Sequence, residues 1–397
     1  MMNADPLILV AIPFIGGAAV LAVDRLLKRA RDAVSLLVMA GLLAVNSREC
    51  YRTFFGHSAL GALTAASGMV LDPPGLMVSE LVLIVALLSM VFSIKYMRRE
   101  LGGGGGSFYA LFLAFVGTLM GLAFSTNILL MLFFLEASSV ISAVLILYGG
   151  RGRRAVRATA IYLGLSVIES ILVVLGVFTL ASAIAIPPLD MTSVDISTLY
   201  GRSPLGHGVT VAALLLLLGF GTKAGLAPLG MIWLPPAYSE APAPVSAMLS
   251  GVMSKAGFLA MFRCAHALAT HSPYYVMAFL VLCSLLSIVL GIVGALIDSD
   301  VKRVLAYSSI AQMGYIAFGA GLGLVLLSAQ TAGTVGLALK ALKGGFYHLM
   351  NHSIFKLLLF LASGIFWYHL REREFKKMRG VGLKMPVTTA LWLLGSW

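Results

Sequence analysis

A chain of 397 residues of which 60% are hydrophobic and 11% charged, with a mean hydropathy of +0.98, lies far from soluble globular domains, whose charged share is about 25%. It is a polytopic membrane protein, and a soluble domain is excluded. The formal net charge of +12 does not point to nucleic acid, because the basic residues alternate with apolar runs.

Apolar runs of spanning length, about 17–25 residues, fall at 6–23, 33–46 (short), 76–94, 107–124, 128–148, 158–182, 209–229, 245–265, 274–297, 304–324 and 344–365. A twelfth begins at 386 and is cut off at Trp397. The first run has no basic stretch before it and leads into Arg25, Lys28, Arg29 and Arg31, which predicts a retained helix and not a signal peptide. Turns after odd-numbered runs hold 19 of the 28 basic residues. Turns after even-numbered runs hold only Arg48, Arg52, Arg202 and Arg263. This bias predicts a multi-pass protein of the cell membrane with its N-terminus outside and the odd turns cytoplasmic.

The glycine run Gly102 to Gly106 follows Arg98, Arg99 and Glu100; no Gly-Lys-Ser/Thr succeeds it, so it is predicted to be a flexible turn and not a phosphate cradle. Residues 183–208, with Pro187, Pro188 and Pro204, form a polar outer loop. The seventh run is interrupted: Gly219, Gly221 and Gly225 surround Lys223, and Pro228 follows one turn later. The set Gly221, Gly225 and Pro228 predicts a helix break, of the kind tolerated at membrane depth where a cavity is lined; a kink made only for packing is the plainer alternative.

Charge at membrane depth costs about 2.5–3.5 kcal/mol per residue on insertion scales and is usually kept for ion pathways. Five such residues stand out: Glu136, Lys223, Lys255, His352 and Lys356. Glu136 becomes switchable if a lysine pairs with it, and otherwise is a neutral hydrogen-bonding group. Lys223 and Lys255, on successive runs, suit proton relay, a compact amine being able to give up and regain its proton. His348, His352 and Lys356 recur every four residues and therefore line one helix face, a geometry suited to a proton wire. Glu169, and Lys340 and Lys343 before Gly344, stand outside this set, while Asp298, Asp300, Lys302 and Arg303 are expected on a solvated face. Cys50, Cys264 and Cys283 form no C-x-x-C, so no iron–sulfur or zinc site is expected, no cofactor is assigned, and electron transfer belongs on another chain. Tyr and Trp near run ends are interface anchors.

The stretch Gly221 to Pro228, continued by Trp233 to Val252 and Lys255, resembles the signature of the antiporter-like subunits of respiratory complex I, energy-converting membrane-bound hydrogenases and Mrp-type cation/proton antiporters. Phe134-Leu135-Glu136, Val301 to Tyr315 and His348 to Phe360 agree with it. The resemblance covers roughly residues 107–397. It implies an all-α membrane protein of 11–12 spans in this chain, with a discontinuous helix 7 and two inverted five-helix repeats. Residues 1–100 would hold helices 1–3, residues 107–268 the first repeat, and residues 274–397 a second repeat that stops in helix 12. It further implies a subunit translocating protons or sodium within a redox-driven complex, partnered by other membrane subunits. In that scheme Glu136 and Lys223 form an ion pair, Lys255 is the next relay, and His348, His352 and Lys356 extend the axis. The other readings are a Mrp-type sodium/proton antiporter subunit and a non-conducting membrane scaffold. Three departures mark this chain: Gly230 and Tyr238 stand where histidines are common, and the helix that carries the terminal charge of the axis is cut short.

Overall fold

The computed structural model describes residues 5–24, 30–55, 68–100, 105–150, 152–184, 206–269, 274–329 and 332–396. The basic turn 25–29, Arg151, the glycines 102–104, the loop 185–205 with Arg202, and Trp397 lie outside the described residues. The chain runs through helices α1 (Pro6–Asp24), α2 (Ala30–Phe55), α3 (Pro73–Glu100), α4 (Gly106–Phe124), α5 (Ile128–Leu147), α6 (Arg153–Ala183), α7 (His207–Ala224) and α8 (Gly230–Glu240). These are followed by α9 (Ala243–Leu268), α10 (Tyr274–Ile297), α11 (Val301–Ser328), α12 (Ala332–Leu370) and α13 (Pro386–Ser396). Among the described residues eleven helices are long and apolar enough to cross a membrane, and β-pairing is confined to isolated bridges such as Met69–Ser125 and Asp300–Glu374. That architecture is what a bilayer demands, since a helix satisfies its own backbone.

Helices α2 and α12 exceed the runs predicted from hydropathy by the widest margins. Helix α2 continues to Phe55 because its polar residues turn inward: Asn46 is buried and donates to a Glu80 carboxylate oxygen of α3 at 2.6 Å, and Ser47 donates to the other. Helix α12 starts well before 344, with Lys340 and Lys343 exposed on its side; they depress local hydropathy without ending the helix.

A break lies at Gly225 and Pro228, while Gly221, the third residue of the predicted set, is still inside α7. Helix α7 ends at Gly225, which sits at φ +86°, a left-handed conformation that glycine adopts without penalty. The segment to α8 is tied across to α10, where the Ser287 hydroxyl accepts from Ala227 N at 2.8 Å. Gly230 has its own steric reason: a Cβ there would lie 2.3 Å from the carbonyl carbon of Gly225. The folded-back turn therefore excludes a histidine at this position.

Helix α9 is the hub, buried along its length except at the half-buried Phe262 and His266, with α3, α4, α5, α7, α11 and α12 around it. It is continuous but carries one π-helical turn, Leu249–Met253. A widened turn leaves carbonyls misaligned with the helical ladder, and side chains take them up: the Tyr238 hydroxyl donates to Leu249 O at 2.8 Å and Lys255 Nζ to Ser250 O at 2.5 Å.

Both ends of the bundle are laced. At the end carrying the basic turns, the strand of residues after α12 crosses the α10–α11 turn, with Val301 N donating to Arg373 O at 2.9 Å and Phe375 N to Ser299 O at 3.1 Å. Arg371 pairs with Glu100 at 2.7 Å, and Arg373 donates to Ser239 O at 2.6 Å. At the opposite end Arg263 of α9 donates to Ser125 O at 2.6 Å and pairs with Asp72 at 2.5 Å.

Candidate functional site

Helix α6 presents Tyr162, Ser166 and Glu169 at spacings of four and three, which puts them on one face of the helix. That face meets α7. Lys223 Nζ lies 3.1 Å from Glu169 Oε1, with both side chains 1% exposed, and donates to Ser166 Oγ at 2.9 Å. The ammonium also stands 4.8 Å from the Tyr162 ring centre and 5.8 Å from that of Trp233, a cation–π setting. Trp233 is held by its indole N–H, which donates to Thr222 O at 2.9 Å.

The expected partner of Lys223 was Glu136, and here the structure corrects the reading. Helix α7 packs chiefly against α6 and α9, whereas α5 packs against α4 and α6, so α6 supplies the nearest carboxylate. Glu136 is half-buried, its Oε1 enclosed without a hydrogen-bond partner among the described residues. Glu169 was legible as the only acid on its run, one turn from Ser166, but which neighbour that face meets is a matter of packing.

Lys255, fully buried on α9, donates to Ser250 O and reaches Ser254 Oγ at 3.4 Å. On α12 the predicted stripe holds. His348 Nε2 lies 2.6 Å from Gln312 Oε1, and its ring centre is 6.4 Å from that of His352. His352 is fully buried, and neither ring nitrogen has a hydrogen-bond partner among the described residues. Lys356, 1% exposed, donates to Leu305 O at 2.9 Å and to the Ser308 hydroxyl. Neither Lys255 nor Lys356 has a carboxylate within 4.0 Å among the described residues. Buried amines held by carbonyls and hydroxyls, with one ion pair at the start of the row, can accept and release protons.

A second correction concerns Lys302. Expected on a solvated face, it is 6% exposed and folds inward from the first turn of α11, donating to Ala241 O at 2.5 Å and Ser246 Oγ at 3.2 Å. Its neighbours Asp298, at 16% side-chain exposure, and Arg303, at 47%, pair with each other at 2.7 Å on the outside of the turn.

Comparisons with known proteins agree with this architecture. The E. coli (strain K12) protein hydrogenase-4 component B is 30% identical over 321 residues, which cover 79% of this chain and 46% of that protein. The NADH-quinone oxidoreductase subunit N of Desulforudis audaxviator is 32% identical over 325 residues, covering 81% and 60%. The chain thus spans about half the length of these relatives. A chain of the archaeal membrane-bound sulfane sulfur reductase superposes with a TM-score of 0.84 at 23% identity, over 98% of this chain and 77% of that one, a likeness of fold. The family model described as NADH-ubiquinone oxidoreductase (complex I), chain 5 N-terminus, matches residues 58–104. A second, described as NADH:quinone oxidoreductase/Mrp antiporter, TM, matches residues 125–397, and this multi-pass membrane protein is a member of that antiporter-like family.

Proposed function

We propose that the chain moves protons across the cell membrane as the antiporter-like subunit of a redox-driven, multisubunit complex. The observation that carries the reading is the row of buried titratable groups that begins at the Glu169–Lys223 pair and continues through Lys255 to His352 and Lys356. Lys223 holds its proton while Glu169 is beside it; separating the two removes the counter-charge and favours release toward Lys255. Glu136, on α5, which packs against α6, offers a second carboxylate to adjust this balance. Moving one charge against 100 mV costs about 2.3 kcal/mol, which a redox reaction on partner subunits must supply. The basic end is the cytoplasmic one in this reading, which puts the N-terminus outside, and the two repeats divide between α9 and α10.

The test is proton uptake by vesicles holding the assembled complex, wild type against Lys223→Ala, while the redox reaction runs. Flux lost with assembly retained supports the reading. Flux unchanged would mean that the buried charges are interhelical ties and the chain a scaffold; flux that requires sodium would assign sodium/proton exchange instead.

A further inference from the structure

The row from Glu169 to Lys356 lies inside the bundle, and protons must reach it from the basic end. Among the described residues Lys302 is the one lysine of that end that is buried, and the relay of Glu169, Lys223, Lys255, His352 and Lys356 does not use it. It borders a cavity walled by Tyr96, Glu100, Tyr148, Glu240, Trp367 and Arg373. Glu100 and Glu240 keep side-chain exposures of 23% and 19%, so water reaches the carboxylates while the amine stands one step behind them. The charged and titratable groups facing Lys302 are then Glu100 and Tyr96 from α3, Tyr148 after α5, Glu240 from α8, Arg373 from the crossing segment, and Asp300 from its own turn.

Inward of Lys302 the polar groups continue. Ser246, Ser250 and Ser254 recur every four residues along α9 and all are buried. Ser246 Oγ lies beside Lys302 Nζ. One turn deeper, Ser250 Oγ is 2.9 Å from Ser309 Oγ of α11. From this junction both central lysines are within reach: Ser250 O accepts from Lys255, and Leu305 O accepts from Ser309 Oγ at 2.8 Å and from Lys356 Nζ at 2.9 Å. The π-turn of α9 lies on this line and supplies the Ser250 carbonyl.

We propose that Lys302 is the proton-loading group of the basic end, taking protons at the Glu100–Glu240 cavity and passing them along the α9–α11 seam to Lys255 and Lys356. Each step breaks one N–H or O–H bond and forms another; water is the carrier across the one-turn interval between Ser246 and the Ser250–Ser309 junction and from that junction to the amines, whose neighbouring hydroxyls are Ser254 Oγ and Ser308 Oγ, while Ser250 O and Leu305 O only hold the amines in place. The inference rests on the proton-translocating reading above.

Arginine at this position keeps the positive charge and the donors that reach Ala241 O and Ser246 Oγ but does not surrender a proton. In vesicles of the assembled complex, Lys302→Arg is expected to preserve subunit assembly on a native gel and to lower redox-driven proton flux about a hundredfold or more, the scale of a lost proton-transfer group. Ser246→Ala, which leaves the tie to Ala241 O in place, is expected to assemble and to lower flux by a smaller factor, and it carries the test if the arginine variant does not assemble. Wild-type flux in Lys302→Arg would overturn the proposal and leave the lysine as a tie between α11 and the α8–α9 junction; wild-type flux in Ser246→Ala would overturn the seam. Failure of the wild-type complex itself to move protons would instead overturn the functional reading beneath both.

Discussion

Glu169 and Lys223 are each 1% exposed, and for such a pair the cost of losing one partner differs from the cost of losing both. Removing one leaves an uncompensated charge in the interior, about 3–5 kcal/mol, whereas replacing both by groups of similar shape is often near neutral. Glu169→Gln and Lys223→Met are each expected to lower the thermal unfolding midpoint of the purified protein in detergent, and the double variant to recover most of the loss. Proton flux should be absent from all three. Additive destabilisation in the double variant would show that the two side chains do not depend on each other. Glu136→Gln, which removes no direct ion pair, is expected to leave the midpoint nearly unchanged. In the sequence Glu136 and Glu169 are equivalent, each a lone acid in an apolar run. What separates them is which helix lies against α7, and that is decided by side-chain packing along the whole of α6.

Helices were the most legible element, because in a bilayer apolar length alone specifies a span, and the break after α7 was legible from Gly225 and Pro228. The π-turn in α9 was not, since one residue more in a turn leaves no mark on composition or period. Lys302 departs from the sequence expectation for a related reason: a charged residue in the first turn of a helix ordinarily faces water, and only the carbonyl of Ala241 and the hydroxyl of Ser246, from a segment about 60 residues away in sequence, give its amine a buried alternative. Gly230 supplies an element-scale test. Gly230→Ala forces a Cβ to within 2.3 Å of the Gly225 backbone, and overpacking of this kind costs about 1–3 kcal/mol. The variant is expected to unfold at lower temperature and to lose flux, because Trp233 on α8 moves with the turn. Gly344→Ala is the contrast: nothing lies within 4 Å of the added methyl, and on the α12 helix it is expected to stabilise by about 0.5–1 kcal/mol. Equal effects of the two substitutions would refute the packing of the turn.

At the scale of the molecule, the buried relay lies between two laced ends whose chemistry differs. The basic end is tied by segments that also wall the Lys302 cavity, Arg373 among them. The opposite end is tied by Arg263, which joins α9 to the start of α3 through Asp72 and to the α4–α5 turn through Ser125 O, away from every group placed in the relay. A hydrogen bond to a charged group contributes about 1.5–3 kcal/mol, and Arg263 makes two. Arg263→Gln is therefore expected to cost a few kcal/mol of stability by that measure while leaving proton flux per assembled complex at the wild-type level. Arg263→Lys should recover little of the stability, because a single ammonium cannot reach two acceptors in the fork geometry of the guanidinium. Arg373→Gln, at the other end, should lose flux out of proportion to its loss of stability, since Arg373 borders the cavity that feeds Lys302. Thermal unfolding and vesicle flux measured side by side on these two variants decide the matter: if both lose flux only in step with unfolding, the two ends are equivalent clamps and the basic end has no separate part in proton supply.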